Sequence, residues 1–158
     1  CEGTCLSEEE TKEVFFGLTS ILSVDEQLED IVINASGTSI TIPAEVAGFY
    51  LSDELTDDED WHGIHKGGTA AASTTTTSVD LDDDAVAGEF QTLRLEIANN
   101  GTCRWYIDGV LKQTVEGAVS TTTNFAVCLA VAANTTELGI IDCDYMLVKA
   151  NRDWTITN

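Results

Sequence analysis

The chain has 158 residues, 43% of them hydrophobic, and its 28 acidic against 7 basic side chains give a net charge of −21. That length fits one domain, residues 1–158, with a hydrophobic core of its own. The acidic balance excludes binding to nucleic acid through a basic patch, and no apolar run has the length of a membrane span.

Two N-terminal segments alternate between apolar and polar residues in the way that strands do. Val14 to Thr19 predicts a strand, whereas Cys1 to Ser7 alternates weakly and is compatible with one. The polar residues from Ser7 to Glu10 are either a connection or the capped start of a helical turn. The acidic stretch from Leu22 to Glu29 predicts a short helix.

Short apolar runs separated by polar turns continue through the middle of the chain. Strands are predicted at Asp30 to Ile33, Thr38 to Ile42, Val46 to Leu51 and Trp61 to His65. Because threonine is β-branched, the low-complexity stretch from Ala70 to Ser78 predicts a strand or the arm of a hairpin. Two acidic stretches, Asp53 to Asp60 and Asp80 to Gly88, are predicted to be surface loops.

The most informative stretch runs from Phe90 to Lys112, where two alternating strands flank Asn99-Asn100-Gly101. A two-residue Asn-Gly turn would set the apolar stripe of one strand against Arg104. A three-residue loop with its glycine in the left-handed region instead pairs Leu95 with Trp105. We therefore predict the three-residue loop.

That loop length fixes the rest of the register. It pairs Leu93 with Ile107 on the core face, and on the other face it sets Glu96 opposite Arg104 and Arg94 opposite Tyr106. Each polar pair is expected to contribute ~0.2–1 kcal/mol. Asp108-Gly109 then predicts a tight mirror-image turn, with positive φ at both residues.

Two further strands complete the predicted fold, at Asn124 to Ala132 and at Leu138 to Lys149. About ten short strands without a long helix predict an all-β fold, an antiparallel two-sheet sandwich. Its predicted core contains Trp105, Leu93, Leu95, Ile107, Phe125 and Leu129.

Several motifs in the chain occur in the same order in one superfamily. They are V-F-F-G-L-T-S from Val14, A-G-F-Y-L-S-D from Ala47, D-W-H-G from Asp60, the central L-R-L-E-I and R-W-Y-I-D-G-V-L, and I-I-D-C-D-Y-M-L-V near the end. With these motifs the chain resembles concanavalin-A-like (lectin/glucanase, laminin-G-like) jelly-roll domains, most closely structural modules of tailed bacteriophages. The resemblance implies a jelly-roll sandwich, and since strands precede Val14 in such domains, it implies that the first strands are missing or supplied by a partner.

The five cysteines match no zinc pattern. Cys103, Cys128 and Cys143 lie in apolar strand patterns, which predicts small core residues. Cys1 and Cys5 either pair with each other or pair across chains. Together with Trp154, they are the predicted contacts with a partner.

Candidate catalytic residues are few, and the chain is predicted not to be an enzyme. Retaining glycosidases of the resembled fold carry carboxylates at alternate positions of one strand. Asp142 and Asp144 have that spacing, but Met146 stands where a third acid belongs. Glu96 is better explained as the partner of Arg104. No cofactor fingerprint is present, so no hydrolysis of β-glucans is expected.

Two kinds of binding site remain candidates. Asp80, Asp82 and Asp84 resemble half of a calcium loop, so either they, or the loop from Asp57 to Asp60, bind calcium weakly, or they form a plain solvated loop. His62 and His65, three apart on a strand, are predicted to face opposite sides, so that one metal cannot take both.

Aromatic residues offer a platform for stacking sugars. Tyr50, Tyr106 and Trp154 are the candidates for glycan contact, against the alternative that each is a core or rim residue.

The resemblance, the incomplete catalytic set and the acidic surface together favour one function. The chain is expected to be a non-enzymatic structural protein on the virion surface of a tailed phage: a capsid decoration, spike or fibre module. Its expected partners are capsid or other virion proteins and further copies of itself. The alternative is a lectin-like adhesin module that binds carbohydrate.

Overall fold

Twelve strands and one short helix make up the described part of the chain. The computed structural model describes residues 2–7, 11–23, 27–86, 88–133 and 140–150. The strands are β1 Glu2–Ser7, β2 Thr11–Thr19, β3 Ile33–Ser36, β4 Ser39–Thr41, β5 Val46–Ser52, β6 Asp60–Lys66, β7 Asp80–Asp84, β8 Gln91–Ile97, β9 Cys103–Ile107, β10 Val110–Val115, β11 Ala126–Ala133 and β12 Ile141–Leu147. The helix α1 is Leu28–Ile31. No helix in the described ranges has the length and apolar character needed to span a membrane.

Two five-stranded antiparallel sheets pack face to face. Sheet one has the order β10-β9-β8-β1-β12, sheet two has the order β11-β2-β5-β6-β7, and β3 and β4 form a separate small pair. Large side chains of both sheets fill the space between them, including Phe49 and Trp61 from sheet two and Leu93 and Trp105 from sheet one. The predicted all-β antiparallel sandwich is therefore confirmed.

Sheet two is buried on both faces. Every residue of β5 is buried, because its second face carries a further hydrophobic cluster under α1 and the β3–β4 pair. Phe15, Ile31 and Ile64 lie in that cluster. A strand covered on both sides needs apolar residues at consecutive positions, as Val46–Ser52 has.

The central meander has the predicted register. Leu95 lies opposite Trp105, Leu93 opposite Ile107, Glu96 opposite Arg104 and Arg94 opposite Tyr106. Gly101 has φ +80°, and its N–H bonds to the carbonyl of Ala98, which closes the three-residue loop. Asp108 and Gly109 both have positive φ, 49° and 79°, as the mirror-image turn requires.

The predicted core is also largely confirmed. Trp105, Leu93, Leu95 and Ile107 are buried, while Phe125 and Leu129 are partly buried against the same cluster. Trp105 is fully buried and its Nε1–H donates to the carbonyl oxygen of Gly48 in the opposite sheet, at 2.9 Å. The tryptophan therefore fastens the two sheets through both packing and a hydrogen bond.

Three local predictions are wrong. Asp30 and Ile31, predicted to begin a strand, lie in α1, and β3 begins only at Ile33. The helix forms here because Leu28 and Ile31, three apart, are both buried against sheet two. Ala70 to Ser78 is not a strand but an irregular segment that ends in the short 3-10 turn Thr76–Ser78. The acidic stretch from Asp80 contains β7, an edge strand, and an edge strand tolerates charges on its exposed positions.

The N-terminal strand is not at an open edge. β1 pairs with β8 on one side and with β12 on the other, so it is an interior strand of sheet one. The described edges of sheet one are β10 and β12. Cys5 lies within β1, and Cys1 and Trp154 lie outside the described residues. Their predicted partner contacts stay predictions.

Candidate functional site

Three carboxylates meet at the end of the β6–β7 pair. Asp57 lies in the loop before β6, Asp60 is the first residue of β6 and Asp80 is the first residue of β7, and one oxygen atom from each lies within 4.8 Å of the others. We call these three residues the carboxylate cluster. Like charges this close repel one another unless one of them takes up a proton or a cation lies between them.

Burial and the neighbouring carboxylates both act on Asp60. Its pKa is raised to about 7, first by burial, next by a hydrogen bond with Asp84, and then by the negative charges of Asp80, Asp57 and Asp84. Asp84 lies directly opposite Asp60 in the strand pair. The Asp60 carboxyl is therefore partly protonated near neutral pH.

A buried histidine lies beside the carboxylate cluster. His62 stands opposite Asp80 in the β6–β7 register and is fully buried. Neither ring nitrogen has a hydrogen-bond partner among the described residues. Burial lowers the pKa of His62 despite the opposing charges of Asp80 and Asp57, so the ring is neutral.

His65 has a quite different environment on the opposite face of β6. Its ring lies 6.0 Å from the ring of Trp105, its Nε2 is 3.0 Å from the carbonyl of Ala71 and its Nδ1 is 3.1 Å from the hydroxyl of Ser73. The prediction that the two histidines face opposite sides is confirmed.

The carboxylate cluster has the donors that calcium prefers. Calcium takes 6–8 oxygen ligands, and three carboxylates supply a part of that shell, leaving water to complete it. The sequence-based set was Asp80, Asp82 and Asp84. The structure instead groups Asp80 with Asp57 and Asp60. Asp82 does not belong to the carboxylate cluster. It has φ +49° at an irregularity in the strand pair, and its N–H donates to Asp80 Oδ1.

Replacing Asp84 with asparagine should change how stability depends on pH. Asp60 holds a proton in the folded state up to about pH 7 but loses it near pH 3.8 when unfolded, so stability falls as pH rises between those values. An asparagine amide removes one negative charge and donates to Asp60, which lowers its pKa. We expect Asp84→Asn to stabilise the protein more at pH 8 than at pH 5, measured as urea midpoints.

The matched control is Asp58→Asn, an exposed aspartate of the same acidic loop that is outside the cluster. It should shift the midpoint equally at both pH values. An Asp84→Asn profile parallel to that of the unchanged protein would contradict a role of Asp84 in raising the pKa of Asp60.

A second acidic surface lies next to the cluster. A groove is lined by Asp82, Asp83, Asp84, Val86, Glu89, Phe90, Gln91 and Asp108. Phe90 is 54% exposed, and Lys112 forms an ion pair of 2.6 Å with Asp83. We call this surface the acidic groove. It combines an exposed aromatic ring with several oxygen acceptors.

Two of the three candidate glycan residues, Tyr50 and Tyr106, lie in the described part of the chain, and they differ in their placement. Tyr50 is fully buried and its hydroxyl donates to Glu13 at 2.8 Å, so the prediction of glycan contact at Tyr50 is wrong. Its position in β5, which is covered on both faces, explains the burial. Tyr106 is partly exposed, but the guanidinium of Arg94 lies 3.9 Å from its ring centre and its hydroxyl donates to Glu96.

The carboxylates considered for catalysis lie apart from these surfaces. Asp142 and Asp144 are exposed on β12. Glu96 lies opposite Arg104 as predicted, yet its ion pair of 3.7 Å is with Arg94.

The cysteines divide by burial. Cys103 is fully buried, and burial raises the pKa of its thiol to about 12, while Cys128 is partly buried against the second cluster. Cys143 is exposed, so the prediction that it is a core residue is wrong. It lies in β12, whose residues are exposed from Asp142 to Leu147.

The fold and its surfaces define a two-sheet antiparallel β-sandwich with a carboxylate cluster at one strand end and an apolar edge strand. Comparison with protein-family models, with curated proteins and with solved structures finds no match.

Proposed function

We propose that the chain is a non-enzymatic structural module that assembles through β12, and that it belongs to the surface of a tailed-phage virion. The assembly part of the proposal rests on exposed apolar side chains at the edge that β12 forms. Apolar residues follow one another there: Tyr145, Met146, Leu147 and Val148 are 43%, 50%, 42% and 51% exposed. The virion part rests on the resemblance to concanavalin-A-like phage modules.

The backbone of β12 favours the same proposal. β12 pairs with β1 on one side and ends the described sheet on the other. An edge strand leaves a row of N–H and C=O groups that another strand can pair with, and monomeric proteins usually protect such an edge with charge, proline or a cover. The last residues of β12 are apolar, and they offer little such protection.

The proposed occupant of this edge is β12 of a second copy. Antiparallel pairing of two identical strands forms a two-fold interface in which the same patch serves both copies. Each copy carries a charge of −21, and Asp142 and Asp144 lie within the strand itself. Repulsion therefore opposes the pairing, and salt, which screens repulsion, should promote it.

Leu147→Lys tests the interface by adding a charge to the apolar edge. We expect the unchanged protein to increase in mass from monomer to dimer by light scattering as sodium chloride is raised, and the variant to remain a monomer. The control is Leu111→Lys on β10, the opposite edge of the same sheet, where the side chain is similarly exposed at 49%. It should dimerise normally.

Two outcomes would contradict the assembly proposal. One is a monomer at every salt concentration, and the other is an equal effect of both lysine variants. The virion part needs its own measurement, which is detection of this chain by mass spectrometry in purified phage particles from its source. Its absence from such particles would leave the assembly result standing and remove the virion assignment.

One observation favours a second function, a carbohydrate-binding module. The acidic groove places an exposed ring, Phe90, beside carboxylates and the amide of Gln91, and binding sites for sugars combine a stacking ring with hydrogen-bonding groups. Binding of an immobilised polysaccharide that is lost in Phe90→Ala and kept in Leu147→Lys would favour this function. A calcium ion at the carboxylate cluster is compatible with either function.

A further inference from the structure

Two cysteines occupy opposite positions in the register of a strand pair that joins distant parts of the chain. In the antiparallel β1–β12 register, Cys5 lies directly opposite Cys143. The pair next to it is Leu6 opposite Asp142, and the register shifts on the other side, between Gly3 and Cys5. The position of Cys5 is therefore fixed by ordinary pairing towards the end of β1.

Backbone geometry at this position suits a disulfide. Residues directly opposite in an antiparallel pair have Cα atoms about 4.5 or 5.5 Å apart, depending on whether the pair is hydrogen bonded. A disulfide needs Cα atoms roughly 4.4–6.8 Å apart. Both alternatives fall inside that interval, so the bond requires no rearrangement of the strands.

The thiol on β12 is accessible to an oxidant. Cys143 is an exposed free cysteine, and its Sγ is 3.5 Å from the carbonyl oxygen of Tyr145. The other two described thiols differ in this respect. Cys103 is fully buried opposite Ile97, and Cys128 lies opposite Gly17, so neither faces a second cysteine in its register.

We propose that Cys5 and Cys143 form a cross-strand disulfide when the protein is exposed to a small-molecule disulfide such as oxidised glutathione. One protein thiolate attacks the glutathione disulfide, forms a mixed disulfide and releases one reduced glutathione. The second protein thiolate then attacks the protein sulfur of that mixed disulfide and releases the other. Two protein thiols lose two electrons and two protons in total, and one glutathione disulfide becomes two thiols.

The disulfide would join the edge strand β12 covalently to β1. Among the described strands, β12 pairs in this sheet with β1, so a covalent link between these two strands prevents β12 from separating from it. Because the two cysteines lie close to opposite ends of the described chain, the link closes a very long loop. Constraining the unfolded chain in this way is expected to raise the unfolding temperature by about 5–15 °C.

The test uses the full chain, incubated with oxidised glutathione, blocked with iodoacetamide and then cut after glutamate without reduction. Cleavage after Glu2 separates Cys1 from Cys5, and cleavage after Glu137 separates Cys128 from Cys143. We expect a mass equal to the fragment from Gly3 joined to the fragment from Leu138, with loss of that mass on reduction. The unfolding temperature should rise in parallel.

Two variants make the result specific. Cys143→Ser, at an exposed position, should fold normally, form no cross-linked fragment and show no glutathione-dependent rise in unfolding temperature. Cys128→Ser should form the link as the unchanged protein does. A Cys1–Cys5 link, a link to Cys128, or unlinked Cys5 and Cys143 fragments after oxidation would each overturn the inference.

Discussion

Trp105→Ala is expected to lower the free energy of unfolding by about 3–5 kcal/mol, the usual loss for removing a large ring from a packed core. Trp105 is fully buried among side chains of both sheets, and its Nε1–H donates to Gly48 across the sandwich. The substitution removes the packing and the hydrogen bond together. The loss is measured by urea unfolding followed by circular dichroism. Fluorescence is less suitable because Trp61 also contributes to it.

Trp105→Phe is the matched control for this prediction. Phenylalanine keeps an aromatic ring in the core but cannot donate to the Gly48 carbonyl, so we expect a loss clearly smaller than that of the alanine variant. A loss below about 1 kcal/mol in Trp105→Ala would show that the core does not depend on this ring, since core truncations of this size normally exceed it.

Gly48→Ala is expected to lower the free energy of unfolding by about 1–3 kcal/mol, through overpacking instead of loss of volume. A Cβ atom built on Gly48 lies 2.6 Å from a ring carbon of Phe15 and 2.7 Å from the backbone oxygen of Phe16. The backbone atom cannot move away without disturbing the β2–β5 pair, in which Gly17 lies opposite Gly48. The same strand shift would weaken the hydrogen bond from Trp105.

The comparison for Gly48 is Gly88→Ala. A Cβ atom there meets no atom within 4 Å, although the positive φ of 84° adds some backbone strain. We expect a smaller loss than for Gly48, measured by the same urea titration. Equal losses in the two variants would mean that the contact with Phe15 and Phe16 has no effect of its own.

Local patterns in the sequence were sufficient for the central meander. Its register depends on the length of a turn and on which strand face carries apolar residues. Both can be read from a short segment of the sequence. Hence the pairing of Leu95 with Trp105, and the turn at Asp108 and Gly109, were predicted correctly. The burial of Trp105 follows from the same alternation.

Features that depend on distant parts of the chain were not predictable in this way. β7 is rich in aspartate and was assigned to a loop, because the sequence does not show that Leu81 packs inwards from an edge strand. Without β7, Asp80 could not be placed beside Asp57 and Asp60. The burial of Tyr50 has the same origin, since its cover comes from α1 and the β3–β4 pair.

The interior position of β1 in sheet one has a consequence for the order of folding. Strands β2, β5, β6 and β7 are neighbours in sheet two and come from one continuous part of the chain, so a ribosome releases them together. β1 is made before all of them, yet it pairs with β8 and β12, the latter being the last strand described. During synthesis, β1 is therefore still without its partner strands while these four strands of sheet two can already pair with one another. Pairing across such a sequence distance raises the contact order, and it places this sandwich among proteins whose folding is limited by the closure of long loops.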